Sequence, residues 1–383
     1  MTDGAPPLQI PLVSNPEPEQ VEDTTALCLS GGGYRAMLFH LGTLKYLNDA
    51  KWLPKLDRIS SVSGGSITSA VLATRWKSLA FSDGVAANFD QQITAPLRKM
   101  ASTTIDVGSV LGGIFGRGSI SDRVTASYKK VLFGDATLQN FPDRPRFVIN
   151  ATNVQTGSLM RFSKPYIADW QVGIFPNPRL AVAQAVAASS AFPPILSPAR
   201  IDFGPNDFSE KPGPCHRPPF TTRAILTDGG VYDNMGIETA WKRCRTILVS
   251  DAGAKLQPED DPQGDWARHA LRINSLIDNQ VRSLRKRQVV SAFVAGVRKG
   301  AYWGMFTDPR EYAAATALAL PVDPARKLAE TPTRLAAMPD EMQERLINFG
   351  YGMAERALRS YVDTAALKAA AFPYPRGIGA ATA

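Results

Sequence analysis

Twice near its start, this chain passes from a short apolar strand through glycine directly into a helix, and few folds accept that grammar. Thr25–Leu29 is the apolar run of a buried strand, and Ser30-Gly31-Gly32-Gly33 follows it. From Tyr34 to Asn48 apolar residues return at helical spacing, with Met37, Leu38, Leu41, Leu44 and Leu47 on one side. Arg58–Val62 reads as a second strand, Ser63-Gly64-Gly65 as its turn and Ser66–Trp76 as its helix. Further strands are expected at Arg146–Ala151, Ala224–Thr227 and Thr246–Ser250, with helical segments between them such as Ala181–Ser189. Strands alternating with helices build a parallel, doubly wound α/β sheet. Ligands of such sheets sit beyond the carboxyl ends of the strands, where both glycine turns and Asp228 fall.

Two segments stand outside this grammar: the apolar, glycine-rich Thr104–Ser121, and the long Pro/Gly loop Phe203–Phe220. From about Asp265 the chain reads as mostly helical, broken by turns near Gly300–Pro309 and Pro321–Pro332. Residues 1–23, rich in Pro and acidic side chains, read as a loose arm, 24–370 as one domain with a helical C-terminal part, and 371–383 as a tail. With 44% hydrophobic and 20% charged residues the composition is globular. Cys28, Cys215 and Cys244 form no CxxC pair, which suggests neither a disulfide framework nor a zinc site and fits a reducing compartment. The N-terminus lacks the basic and apolar regions of a secretory signal, and no uninterrupted apolar stretch is long enough to span a bilayer. A cytoplasmic protein is the expectation.

The chemistry is carried by three turns. Ser61-Val62-Ser63-Gly64-Gly65 places a serine between strand and helix with small residues on either side. This is the nucleophile-elbow pattern GxSxG with Ser61 in place of the first glycine. Gly31-Gly32-Gly33-Tyr34-Arg35 opens a helix with exposed backbone N–H groups, suited to a developing oxyanion. A phosphate loop is the rival reading, and neither GxxxxGK[ST] nor GxGxxG is present. Arg35 has two readings, fixing this loop or facing an anionic headgroup. Thr227-Asp228-Gly229-Gly230 ends a strand with an Asp placed to accept a serine proton. A Ser-His-Asp enzyme needs the order Ser, Asp, His, which Ser63, Asp228 and His269 satisfy. Yet His269 lies within the helical pattern DWARHALRINSLI, His40 within the first helix and His216 in the Pro-rich loop.

These motifs resemble the patatin-like phospholipases. ALCLSGGGYRAMLFHLGTLKYL is similar to the family's opening strand, oxyanion loop and first helix, SVSGG to its elbow, and ASSAFPPIL to the stretch before its Asp strand. The resemblance covers roughly Thr24 to Ala254. It implies a three-layer α/β/α fold with a mostly parallel central sheet, no metal or other cofactor, and hydrolysis of lipid acyl esters by a Ser-Asp dyad. Carried over, Ser63 is the nucleophile, Asp228 the base, and Gly31, Gly32, Gly33 and Arg35, joined by Gly64, the oxyanion loop. Two alternatives remain at this point: an esterase using His269, and a lipid-binding module without catalysis.

The partner expected is a lipid ester, with no nucleic acid. A formal charge of +8 admits anionic surfaces. Arg282, Arg285, Lys286 and Arg287, followed by Phe293, Val294, Arg298 and Lys299, form a basic cluster in a helix. It reads either as a peripheral contact with an anionic membrane or as a solvated face. The apolar Val107–Phe115 segment is the other candidate contact.

Overall fold

The computed structural model describes residues 21–105 and 120–379. Its strands are β1 Glu22–Leu29, β2 Arg58–Val62, β3 Phe81–Ser82, β4 Val85–Ala86, β5 Arg146–Asn153, β6 Ser158–Phe162, β7 Tyr166–Asp169, β8 Gly173–Pro176, β9 Ala199–Asp202, β10 Arg223–Asp228, β11 Cys244–Asp251 and β12 Lys299–Gly304. The helices are α1 Gly33–Asp49, α2 Gly64–Arg75, α3 Ala95–Ala101, α4 Ile120–Tyr128, α5 Val182–Ser189, α6 Gly230–Asp233, α7 Glu238–Trp241, α8 Trp266–Val294, α9 Val322–Ala329 and α10 Asp340–Tyr361.

The central sheet runs β12-β11-β1-β2-β5-β6-β7-β8, with β10 and β9 joined to it through β5. From β12 to β5 every neighbouring pair is parallel, and β5 to β8 is an antiparallel meander. Side chains alternate across the sheet as pleating requires. Leu27, Leu29, Ile59 and Leu248 enter the core shared with α1, α2 and α10. Ala26, Cys28, Ile247 and Val249 enter a smaller core with Ile237, Ala240 and Val289, under α7 and α8. Helices thus cover both faces, and the architecture is three-layer α/β/α.

Three elements depart from the sequence reading. β12 is an edge strand where the helical C-terminal part was expected to be broken by a turn, and its sequence KGAYWG has two glycines that hide it. α9 fills much of a stretch expected to be a turn. α1 is buried on all sides: of its 17 residues only Lys45 and Asp49 lie outside the core. Its second covering is α10, where Phe39 meets Phe349 edge-on at 5.4 Å and Tyr46 meets Tyr351 at 5.3 Å. At their crossing a Cβ on Gly42 would collide with the Ile347 carbonyl, and one on Gly350 with the Phe39 carbonyl, so the two backbones touch.

Candidate active site

The site is set by two strands that share one edge of β5. β2 runs parallel to β5 and stops where Val62 faces Asn150. β10 arrives antiparallel along the next residues, with Leu226 facing Asn153 and Asp228 facing Ala151. Because β6 occupies the other edge of β5, β2 and β10 meet end to end. The residue after Val62 is Ser63, so the meeting point carries Ser63 and Asp228. The expected parallel direction of the Asp strand is therefore corrected, while Asp228 still reaches the carboxyl edge of the sheet.

Ser63 has φ 50° and ψ −118°, a conformation that side chains rarely adopt, on a turn leading straight into α2. Such strain persists only where the surroundings hold it. Here the Ser63 N–H donates to Ser189 Oγ at 3.0 Å, and Ser189 Oγ donates to the Asn150 carbonyl at 2.6 Å. Ser66 bridges Ser189 and Ser61, and Ser61 meets Ser69 at 2.7 Å. The hydroxyl at position 61, where the elbow pattern has glycine, is thus buried and paired within a serine network. A Cβ on Gly65 would lie 2.5 Å from the Leu29 carbonyl, so β1 and α2 pack together only with glycine there.

Asp228 is buried, and burial pushes its pKa up to about 7; the Gly230 N–H, at 2.7 Å, and the adjoining Ser63 hydroxyl pull the other way, and Asp278 of α8 adds repulsion. A carboxyl poised near neutrality beside a hydroxyl can exchange a proton with it. The sheet holds this carboxyl through its main chain: Asp228 N–H donates to the Ala191 carbonyl at 3.0 Å and Thr152 Oγ1 to the Asp228 carbonyl at 2.8 Å.

The glycine loop lies against Ser63, but its members differ. The Gly31 N–H is already given to the Asn234 carbonyl at 3.0 Å. This corrects the expectation that Gly31 offers a free donor. Among the described residues, the N–H groups of Gly32, Gly33 and Gly64 have no protein acceptor, as expected of groups at helix starts. Gly32 and Gly33 have φ of 141° and 60°, which only glycine takes at little cost. The Arg35 side chain is buried and bonded to the carbonyls of Ala252, at 3.0 Å, and Thr331. Of its two readings, it fixes the loop and does not face a headgroup.

The histidines stand apart from this pair. His40 is buried between Ser250 Oγ (2.9 Å) and the Ser30 carbonyl (3.0 Å), with burial lowering its pKa to about 4. His216 bonds the Val172 carbonyl at 2.8 Å. His269 is exposed in the first turns of α8, and among the described residues no contact joins it to Ser63 or Asp228.

The basic cluster turns largely inward. Arg282 reaches Asp251 at 3.5 Å and the Ala254 carbonyl; Arg285 reaches Glu238 at 3.4 Å and Asp233 at 3.9 Å. Lys286 lies over the Tyr302 ring and Arg298 over Trp241. These charges dock α8 beside the site and do not form a free basic face. Val107–Phe115 lies outside the described residues. Sequence reasoning missed Asn234, and it read Arg282 as part of the basic cluster and Ser189 as part of ASSAFPPIL without their roles here, because these contacts join distant segments and leave no local pattern.

The family model for patatin-like phospholipase matches residues 27–241, more than half of the chain. Human GIVD cytosolic phospholipase A2 superposes with a TM-score of 0.51 at 12% identity, covering 88% of this chain and 59% of that one. A structure of the same human protein in complex with methyl gamma-linolenyl fluorophosphonate gives 0.47 at 13% identity, covering 87% and 57%. VipD from Legionella pneumophila gives 0.38 at 15% identity, covering 89% and 67%. The chain spans less than two thirds of the human protein it matches. No curated protein sequence matches it.

Proposed function

This chain belongs to the patatin-like phospholipase family, and we propose that it is a serine acyl hydrolase that cleaves lipid acyl esters through a Ser63-Asp228 dyad. The observation that supports this most is the meeting of β2 and β10 on one edge of β5, which puts a strained serine beside a buried carboxyl poised near neutral pH.

The ester carbonyl lies above Ser63. Asp228 takes the Ser63 proton as Oγ attacks the carbonyl carbon, and the carbonyl oxygen becomes an oxyanion. The N–H groups of Gly32, Gly33 and Gly64 are the available donors for it, each worth roughly 3–4 kcal/mol when aimed at the oxyanion. The tetrahedral intermediate collapses, Asp228 protonates the leaving alcohol, and an acyl-Ser63 ester remains. Water, deprotonated by Asp228, attacks that ester; the acid departs and Ser63 regains its proton. The substrate class is a phospholipid, lysophospholipid or acylglycerol.

Fluorophosphonate labelling and hydrolysis of p-nitrophenyl esters and lipids test the assignment. Ser63→Ala abolishes both while the fold survives, and Asp228→Asn slows hydrolysis by about 10²–10⁴-fold, the range of a general base. His269→Ala keeps wild-type rates. A folded Ser63→Ala protein with wild-type hydrolysis removes the nucleophile; a folded, inactive His269→Ala protein restores the triad.

A further inference from the structure

Asn234 ends α6, six residues beyond Asp228 in the turn that follows β10, and the mechanism above does not use it. Its carboxamide fills a slot left by three glycines. Its Oδ1 lies 2.5 Å from the point where a Cβ would stand on Gly31, and 2.5 Å from the equivalent point on Gly230; its Nδ2 lies 2.8 Å from that on Gly253. These glycines come from the turns after β1, β10 and β11, so one side chain occupies the junction of three loops at the carboxyl edge of the sheet.

The reacting pair borders the same slot. Ser63 Cβ is 3.2 Å from the Gly31 point, and Asp228 Oδ1 is 3.0 Å from the Gly230 point. The main chain adds a second hold, because the Asn234 carbonyl takes the Gly31 N–H at 3.0 Å. On the far side, Arg282 crowds Gly253 and ties down Asp251 and the Ala254 carbonyl. The residue at 234 must therefore be small and neutral. A larger side chain has no space, and a carboxylate here repels Asp228.

We propose that Asn234 is a positioning residue for the acyl transfer, wedging the glycine loop against Ser63 and setting its register to Asp228. The inference rests on the dyad reading. It adds that the placement of the donors on Gly32 and Gly33 depends on a side chain from the base's own turn. Displacement of a reacting geometry by about 1 Å can cost 10²-fold in rate. Loss of the wedge thus acts on turnover and leaves substrate binding in place.

The test measures kcat, KM and the pH profile on a water-soluble p-nitrophenyl ester for Asn234→Ala, Asn234→Asp, Gly31→Ala and the double variant Gly31→Ala/Asn234→Ala. Asn234→Ala is expected to lower kcat about 10- to 100-fold with KM changed less than about threefold. Asn234→Asp keeps the shape and so the fold. It is expected to move the midpoint of the pH profile upward by about one unit, because a like charge near Asp228 disfavours its ionised form. Gly31→Ala alone places a methyl against Oδ1 and loses activity. In the double variant the clash at 2.5 Å is gone and only the 3.2 Å contact with Ser63 Cβ remains, so the two losses do not add.

A kcat for folded Asn234→Ala within about twofold of wild type overturns the inference. So does an unmoved pH midpoint in Asn234→Asp, or strict additivity in the double variant. Ser63→Ala, run alongside, separates the two readings. If it keeps its activity the dyad fails, and if it is inactive while Asn234→Ala is unaffected only the role of Asn234 fails.

Discussion

Asp228 must lose its proton before it can take one from Ser63, and burial makes that loss harder. With its pKa near 7, the base is half charged at neutrality. The value of kcat/KM on a soluble ester is therefore expected to rise with pH, with a midpoint near 7, and to level off above it. The same carboxyl carries a stability consequence of definite sign. Its folded pKa exceeds the ordinary 3.8, so between about 4 and 7 the folded chain holds a proton that the unfolded chain has released. Stability is thus lost as pH rises through that window, by roughly 4 kcal/mol at most. Asp228→Asn removes the ionisation. It is expected to be as stable as wild type near pH 4 and more stable at pH 8 by urea unfolding, with hydrolysis at pH 8 slowed about 10²–10⁴-fold. An equal difference between the two proteins at both pH values would remove the buried-carboxylate account.

Between elements, the contact most exposed to a single change is the crossing of α1 and α10. Gly350→Ala pushes a methyl into the Phe39 carbonyl on backbone that cannot yield locally. The expected cost is about 1–3 kcal/mol of stability, with fluorophosphonate labelling of the folded fraction retained, since α10 does not touch Ser63. An unchanged urea midpoint overturns this. The same crossing shows what a sequence conceals. The pairs β1–α1 and β2–α2 are legible because strand, glycine and helix follow one another, and their signals are local. The ends of β5, β10 and β11 fall within about two residues of expectation for the same reason. The direction of β10 is not legible, since a strand reads alike whichever way its neighbour runs. Nor is the burial of α1 on all sides, which depends on a partner far along the chain, or β12, whose glycines suppress the strand pattern. At the site, Ser63, Asp228 and the glycine loop could be found because each sits at a strand end. Asn234 could not, because its reason lies in three glycines from three loops.

At the scale of the whole molecule, the unusual element is α8, whose 29 residues make it about 43 Å long and of which only Val289 is buried. Its charged side chains Arg282 and Arg285 point to the body, leaving apolar ones outside: Ile273, Ile277 and Leu284, spaced four and seven apart, form one stripe, and the last two are more than half exposed. Phe192, Ile195 and Val231, also exposed, lie in the turns that flank Asp228, and Asp278 of the same helix acts on Asp228 itself. α8 therefore runs beside the proposed site with apolar side chains exposed along it. No helix among the described residues is long and apolar enough to cross a membrane. We propose that these exposed apolar side chains rest on the lipid surface from which the substrate is drawn, in place of the basic cluster, for which the sequence offered membrane contact as one of two readings. The two origins of binding differ in their response to salt. Exposed charges are screened beyond about 10 Å at 0.1 M salt, whereas burial of apolar surface is not. Binding to neutral phosphatidylcholine vesicles, measured by co-sedimentation, is expected to persist at high salt. Two half-exposed chains transferred from water contribute about 2–3 kcal/mol together, so Ile277→Asp/Leu284→Asp is expected to weaken binding at least about tenfold. Hydrolysis of a short-chain soluble ester stays at the wild-type rate in that variant, because neither residue borders Ser63. Binding that requires anionic lipid and vanishes at high salt would return the contact to the basic residues. Binding indifferent to the double substitution would take it away from α8.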